Sequence, residues 1–276
     1  MRADHGKQCR PDIASEPDIA SESDIVSHPA PSDISGGFRV TPITENCRRV
    51  YEEGQHIVVG VSHGNSYFSV KLLSELLRWS HLKFDRVDVV IPDAAFRENL
   101  LVLGRSPEYA ERKTRQETNA VRNRVDRALR TARIPVTSAT HVHLLSDLMD
   151  GTVYRTLREH AEETLRTDTE VRRACLHMSR LALSKHLGGA TPTEEQIQAG
   201  IRYPLAELPF FLGSADIFGV PSSLCFYHKP IPLADILFSR KAEPAPSPLQ
   251  GYAVIRPSRR PGPASRMKES SCTRAN

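Results

Sequence analysis

Cysteine is scarce and badly placed for either of its structural uses. Cys9, Cys47, Cys175, Cys225 and Cys272 make an odd set of five with no C-x-x-C pair, which argues against a disulfide framework and against a zinc site. Such usage suits a reducing compartment. No apolar run approaches the roughly 20 residues needed to span a bilayer, and the first 30 residues lack the apolar core of a signal peptide. The expectation is a soluble, cytoplasmic protein with no membrane partner. Neither phosphate-cradling glycine signature is present: no G-x-G-x-x-G follows the first candidate strand, and G-x-x-x-x-G-K-[ST] occurs nowhere. Nucleotide binding through such loops therefore finds no support.

What the chain does have is an ordinary globular balance, 39% hydrophobic and 25% charged over 276 residues, enough for an extensive core. Residues 1–37 stand apart. Asp12-Ile-Ala-Ser-Glu-Pro17, Asp18-Ile-Ala-Ser-Glu-Ser23 and Asp24-Ile-Val-Ser-His-Pro29 repeat one short unit, and Asp33-Ile-Ser35 begins another. Serine, proline and acids dominate there, so the segment reads as a disordered leader, with a short parallel β-helix coil as the alternative. Residues 256–276 read as a flexible basic tail.

Between these ends, short β-branched runs predict strands at Ile57–Val61, Val87–Ile91, Thr140–Leu144, Ser222–Tyr227 and Tyr252–Ile255. Helical periodicity covers Ser69–Trp79, Tyr109–Arg133, Val153–His186, Thr193–Leu212 and Leu233–Arg240. Such alternation predicts an α/β fold, a single domain over residues 38–255 with a mostly parallel sheet covered on both faces.

The first strand runs into Gly60-Val-Ser62-His-Gly64, which presents Ser62 at the strand's carboxyl end, where open α/β sheets bind their ligands. A serine there can act as a nucleophile if a neighbour takes its proton. The strand ending in Tyr227-His228 would finish on the same edge; the histidine could carry a proton or simply cap the strand. Thr191-Pro192-Thr193-Glu194 has the form of a capping box, which starts a helix carrying Tyr203 and Glu207 at i and i+4. Pro204 should bend that helix. Among apolar neighbours the Glu207 carboxylate needs a cation, either a substrate ammonium or a structural arginine such as Arg202 or Arg180.

The helix Tyr109–Arg133 concentrates positive charge. At about 100° per residue, Arg112, Lys113, Arg115, Arg122, Arg124, Arg127, Arg130 and Arg133 share one broad arc. Asp126 is read as its main acid, and Ala110, Val121, Val125, Ala128, Leu129 and Ala132 take the packing side. The arc suits a phosphate backbone; a solvated helix face is the plainer reading.

Together these residues resemble the cyclodipeptide synthases. The family pattern H-x-[LVI]-[LVI]-G-[LVI]-S is met by His56–Ser62, and Y-[LVI]-x-x-E-x-P by Tyr203–Pro209 with a departure at Pro204. Gly64-Asn-Ser-Tyr-Phe-Ser69, the basic helix and Val220-Pro-Ser-Ser-Leu extend the likeness, and Asn65, Tyr227 and His228 match the Asn-Tyr-His subfamily. The resemblance implies a Rossmann-like domain similar to class I tyrosyl- and tryptophanyl-tRNA synthetase catalytic domains, without their HIGH and KMSKS signatures. It implies a monomer that uses two aminoacyl-tRNAs, with no cofactor and no metal, and closes a 2,5-diketopiperazine. On that analogy Ser62 takes the first aminoacyl group as an ester, Tyr203 and Glu207 hold its ammonium, and Tyr227 relays a proton. Asn65 and His228 position the serine and Tyr227, the arginine arc holds the first tRNA, and Val58, Gly60, Val90, Phe210 and Cys225 line the first side-chain pocket. The bulk of Phe210 favours a small or medium apolar first residue.

Two other readings compete. Gly60–Gly64 also fits the G-x-S-x-G elbow of α/β-hydrolases, with Asp216 and His228 as candidate partners, although no HGGG-type segment precedes Ser62. A tRNA-binding module without catalysis would use the arginine helix alone. His56 is expected to be a hydrogen-bonded core residue, Trp79 a core residue, and His141 with His143 a poor metal site.

Overall fold

The computed structural model describes residues 33–35, 37–134, 140–188, 190–239 and 245–258. The strands are β1 (Asp33–Ser35), β2 (Phe38–Pro42), β3 (His56–Gly60), β4 (Arg86–Ile91), β5 (Thr140–Leu144), β6 (Ser223–Tyr227) and β7 (Gln250–Pro257). They form one sheet in the order β1-β2-β7-β6-β3-β4-β5. From β7 to β5 every pairing is parallel, whereas β2 joins β7, and β1 joins β2, antiparallel. The five predicted strands are thus all present. The antiparallel pair escaped because β2 buries only alternate residues over a short span that ends in proline. β1 falls inside the segment read as leader; residues 1–32 and 259–276, which hold most of the leader and tail, lie outside the described residues.

The helices in chain order are α1 (Glu45–Glu53), α2 (Val70–Lys83), α3 (Asp93–Val102), α4 (Pro107–Ala132), α5 (Leu145–Met149), α6 (Thr152–Thr167), α7 (Thr169–His186), α8 (Glu194–Ala199), α9 (Arg202–Phe218) and α10 (Pro232–Ser239). One face of the sheet is covered through Val50, Leu73, Leu76, Trp79, Val121, Val125 and Leu129, packed on Ile57, Val59, Val87, Val89, Leu224 and Ile255. Trp79 is a core residue, 3% exposed between the rings of Phe38 and Phe84. The other face packs Val58, Val90, Cys225 and Tyr252 against Tyr154, Ala206, Phe210 and Ala234. β3 neighbours both β4 and β6, so the chain moves outward in opposite directions from this point. That switch opens a crevice at the carboxyl ends of β3 and β6.

Three helical expectations need correction. Residues 153–186 form two helices, because Asp168 accepts from the N–H groups of Glu170 (2.8 Å) and Val171 (3.0 Å) and caps α7. The span 193–212 also divides. Its capping box is Thr193 with Gln196, two residues later than read, and α8 ends at Gly200. A Cβ on Gly200 would lie 2.4 Å from Ser179 Oγ and 2.9 Å from Leu183 Cδ1, so only glycine lets α8 approach α7 this closely. Pro204 falls in the first turn of α9, where its missing N–H costs nothing. The irregularity comes later, at Gly213 after Pro209.

Candidate active site at the crevice

β3 is buried through Val59, and Val61 N–H still bonds Val90 C=O (2.9 Å), so the strand ends abruptly at a turn. Gly64 takes a left-handed φ of 65° there. Asn65 then serves two partners. Its side-chain oxygen accepts from Tyr67 N–H (3.0 Å), capping the 3-10 turn Ser66–Phe68, and its amide nitrogen donates to Ser62 Oγ (3.3 Å). The serine hydroxyl is therefore held by a neutral amide. His63, next in the turn, packs on Phe96 of α3 (4.4 Å between centroids) and reaches Thr118 Oγ1 of α4 (3.5 Å). Burial pushes its pKa down to about 4, which leaves a neutral ring.

The first turns of α9, which pack on the face of the sheet that carries Val58, Val90 and Cys225, hold Tyr203 and Glu207. Burial pushes the Glu207 carboxyl up to about 7, against the opposing hydrogen bond from the Tyr203 hydroxyl. Burial and the neighbouring carboxylate together raise Tyr203 well above the usual phenol range. Neither arginine considered as a structural partner is available. Arg202 pairs with Glu98 (3.3 Å) and Arg180 with Glu194 (3.6 Å). Among the described residues Glu207 makes no ion pair. The backbone beneath it is fixed by Tyr154, whose hydroxyl donates to Ala206 C=O (2.9 Å).

Val58, Val90, Phe210 and Cys225 belong to one buried cluster. Val58 pairs in register with Cys225, and Val90 with Gly60. The Phe210 ring lies 5.9 Å from Tyr154 and 6.2 Å from Phe218, and Cys225 Sγ sits 3.4 Å from Phe210 C=O. The Cys225 thiol is pushed up to about 12 by burial, so it stays protonated and packs as a small apolar group. At the end of β6, the Tyr227 and His228 rings are 4.3 Å apart, and His228 stacks on Tyr67 at 4.3 Å and 13°. Tyr67 also donates to Ile255 C=O (3.2 Å). One tyrosine thus ties the serine turn to β6 and β7.

Sequence reasoning missed the polar network around Asp88. His56 is a buried core residue, as expected: Nε2 bonds Asp88 Oδ2 (2.9 Å) and Nδ1 bonds Ser223 Oγ (2.8 Å). Asp88 also meets His143 Nε2 (2.5 Å) and Arg86 Nε (2.6 Å). Burial alone would raise the Asp88 carboxyl, but hydrogen bonds from His143, His56 and Arg86 hold it well below the usual range. The network continues through Ser223 and Ser214 (2.7 Å) to Gln250 Oε1 (2.6 Å), stitching β4, β3, β6 and β7. An aspartate inside the apolar run Val87–Ile91 was the legible signal.

Helix α4 starts at a Ser106 cap with proline next and ends at Arg133, which takes a left-handed φ of 58°. Its buried side is the predicted one with Thr114 and Thr118 added. The arc is more compensated than read. Lys113 pairs with Glu117 (2.6 Å) and Arg115 with Glu111 (3.5 Å), so Asp126 is not its main acid. Arg122, Arg127 and Arg130 are exposed and make no ion pair among the described residues; Arg112 lies 5.5 Å from the Tyr109 ring, and Arg124 is half-buried near His63.

Residues 38–257 match the family model described as Cyclodipeptide synthase. The chain belongs to the cyclodipeptide synthase family. A Mycobacterium tuberculosis cyclo(L-tyrosyl-L-tyrosyl) synthase is 37% identical over 80% of this chain and 76% of the relative. A Streptomyces noursei cyclo(L-leucyl-L-phenylalanyl) synthase is 34% identical over 83% of this chain and 95% of the relative. A solved Mycobacterium tuberculosis structure superposes with a TM-score of 0.70 at 35% identity, covering 83% of this chain and 96% of that one; its description relates cyclodipeptide synthetases to type I tRNA synthetases. The Rossmann-like reading of the sheet stands with it. The hydrolase reading fares worse, since Asp216 lies two residues before Phe218, whose carbonyl accepts from Arg86 at the start of β4. That is the edge of the sheet opposite Ser62. No cluster of metal-ligating residues occurs among the described residues, and no described helix is long and apolar enough to cross a membrane.

Proposed function

We propose that this synthase joins two aminoacyl groups from aminoacyl-tRNAs into a cyclic dipeptide through an ester on Ser62. The observation that carries the reading is Glu207: a buried carboxylate hydrogen-bonded by Tyr203 that makes no ion pair among the described residues. A substrate α-ammonium satisfies that carboxylate. Aminoacyl esters arrive activated, so positioning and proton transfer suffice and no strong triad is needed.

In the first step Ser62 Oγ attacks the ester carbonyl, the bond to the tRNA ribose oxygen breaks, and the serine proton passes to that oxygen. The bound ammonium must then lose a proton to become a nucleophile. Glu207, paired with that ammonium, is the carboxylate placed to accept it. The freed amine attacks the second aminoacyl-tRNA ester, which forms the peptide bond and releases the second tRNA. The new terminal amine attacks the Ser62 ester, closing the ring and restoring the hydroxyl, with Tyr227 relaying the proton. Asn65 orients Ser62, and His228, stacked on Tyr67, orients Tyr227. Arg122, Arg124, Arg127 and Arg130 hold the first tRNA, with Arg112, Lys113 and Arg115 at the end of the stripe.

Val58, Gly60, Val90, Phe210 and Cys225 form the first side-chain pocket, which Phe210 narrows toward small or medium apolar residues. Intact-protein mass spectrometry after mixing with aminoacyl-tRNA tests the ester: the unmodified chain gains one aminoacyl mass and Ser62→Ala does not. A normal adduct on the Ser62→Ala protein contradicts the assignment.

A further inference from the structure

The edge of the sheet carries a second cationic feature, far from α4 in strand order. Arg39 on β2 and Arg256 on β7 are direct cross-strand partners. Like charges placed opposite each other destabilise a sheet, and among the described residues neither arginine has a carboxylate partner. They border a cavity of about 230 Å³ lined also by Thr41, Pro42, Ile43, Pro230, Asp235 and Val254. The cavity adjoins the reaction site. Val254 is the register partner of Tyr227, and Arg256 Nε donates to His228 C=O (2.9 Å). Arg39, Thr41, Val254 and Arg256 share one face by the period of two along each strand.

The sheet runs β2-β7-β6-β3-β4, and α4 packs by α2, α3 and β4. The arginine pair and the α4 stripe therefore flank Ser62 and Tyr227 from opposite sides. A guanidinium pair matches a phosphodiester, Thr41 offers a hydroxyl to the ribose, and Pro42, Ile43, Pro230 and Val254 give an apolar floor for a sugar or base. We infer that this cavity receives a nucleotide from the acceptor end of the second aminoacyl-tRNA, delivering its ester from the Tyr227 side. The inference rests on the acyl-transfer reading above.

The test separates the two half-reactions. A limiting labelled aminoacyl-tRNA loads Ser62, and excess aminoacyl-tRNA then discharges the loaded protein, for the unmodified chain, Arg39→Glu, Arg39→Lys and Arg124→Glu. Arg39→Glu should load within about two-fold of normal but discharge about ten-fold more slowly, the loss expected for one charged hydrogen bond. Arg39→Lys should recover most of the rate, and the salt dependence of discharge should flatten in Arg39→Glu by a slope of about 0.7. Discharge of Arg39→Glu at the normal rate overturns the inference. So does a loading defect equal to that of Arg124→Glu, which would assign the pair to the first tRNA. Failure of the unmodified chain to load overturns the acyl-transfer reading itself.

Discussion

Replacing Glu207 with glutamine should make the protein more stable and inactive together, with the gain set by pH. The carboxyl titrates at about 7 in the folded chain and near 4.5 unfolded, so the folded state holds the proton more tightly. Unfolding then releases a proton between those values, and stability falls as pH rises through the interval. The penalty on ionised Glu207 is below about 1 kcal/mol at pH 5 and reaches about 3 kcal/mol at pH 8.5. Glutamine keeps the volume and an acceptor for the Tyr203 hydroxyl but carries no charge. Urea unfolding of both proteins at the two pH values therefore predicts near-equal stability at pH 5 and a gain on the order of 3 kcal/mol for Glu207→Gln at pH 8.5. Acyl-enzyme formation should meanwhile be lost, because the amide cannot pair with an ammonium. An equal difference at both pH values would refute the reasoning, since it would mean that the carboxylate is already neutralised in the free protein.

The remaining expectations follow from other parts of the site. Asp88→Asn should cost about 3–5 kcal/mol at neutral pH, and because the native carboxyl is depressed, the difference should shrink as pH falls below the ordinary carboxylate range toward the depressed native value; a pH-independent loss in melting experiments would contradict the network. Removing charge at Arg122, Arg124 and Arg127 should weaken tRNA use and lower its salt slope by up to about 2, and unchanged salt dependence would return α4 to a solvated face. Phe210→Leu should widen the first pocket and admit larger side chains, read as new masses among the cyclic products; an unchanged product range would remove Phe210 from the pocket wall.

The strand end before Ser62 and the helix face of Tyr203 and Glu207 were more legible than the architecture around them. Ser62 could be placed because a β-branched run ending in glycine has one structural meaning, and Tyr203 with Glu207 because an i, i+4 spacing puts both on one helical face. The buried side of α4 followed from its period. Its ion pairs were legible too, as the i,i+4 spacings Glu111–Arg115 and Lys113–Glu117, but reading the arc by its cations alone passed over them. β2 was invisible because it alternates buried and exposed residues and ends in proline instead of forming a continuous apolar run, and the break at Asp168 because two helices with one shared apolar side read as a single period. The Asp88 network joins residues distant in sequence, each of which alone looks like a lone polar residue in a strand. The cavity beside Arg39 and Arg256 depends on an antiparallel register that no local pattern encodes.

The central claim is that this chain makes cyclic dipeptides through Ser62. Untargeted mass spectrometry of the medium from a bacterial host expressing the chain, beside a Ser62→Ala host with equal soluble protein, tests it most directly. The account predicts a new diketopiperazine that is present with the intact serine and missing from the variant, its mass naming both side chains. The same diketopiperazine from both hosts, or no new product from either while charged tRNA is abundant, would contradict it.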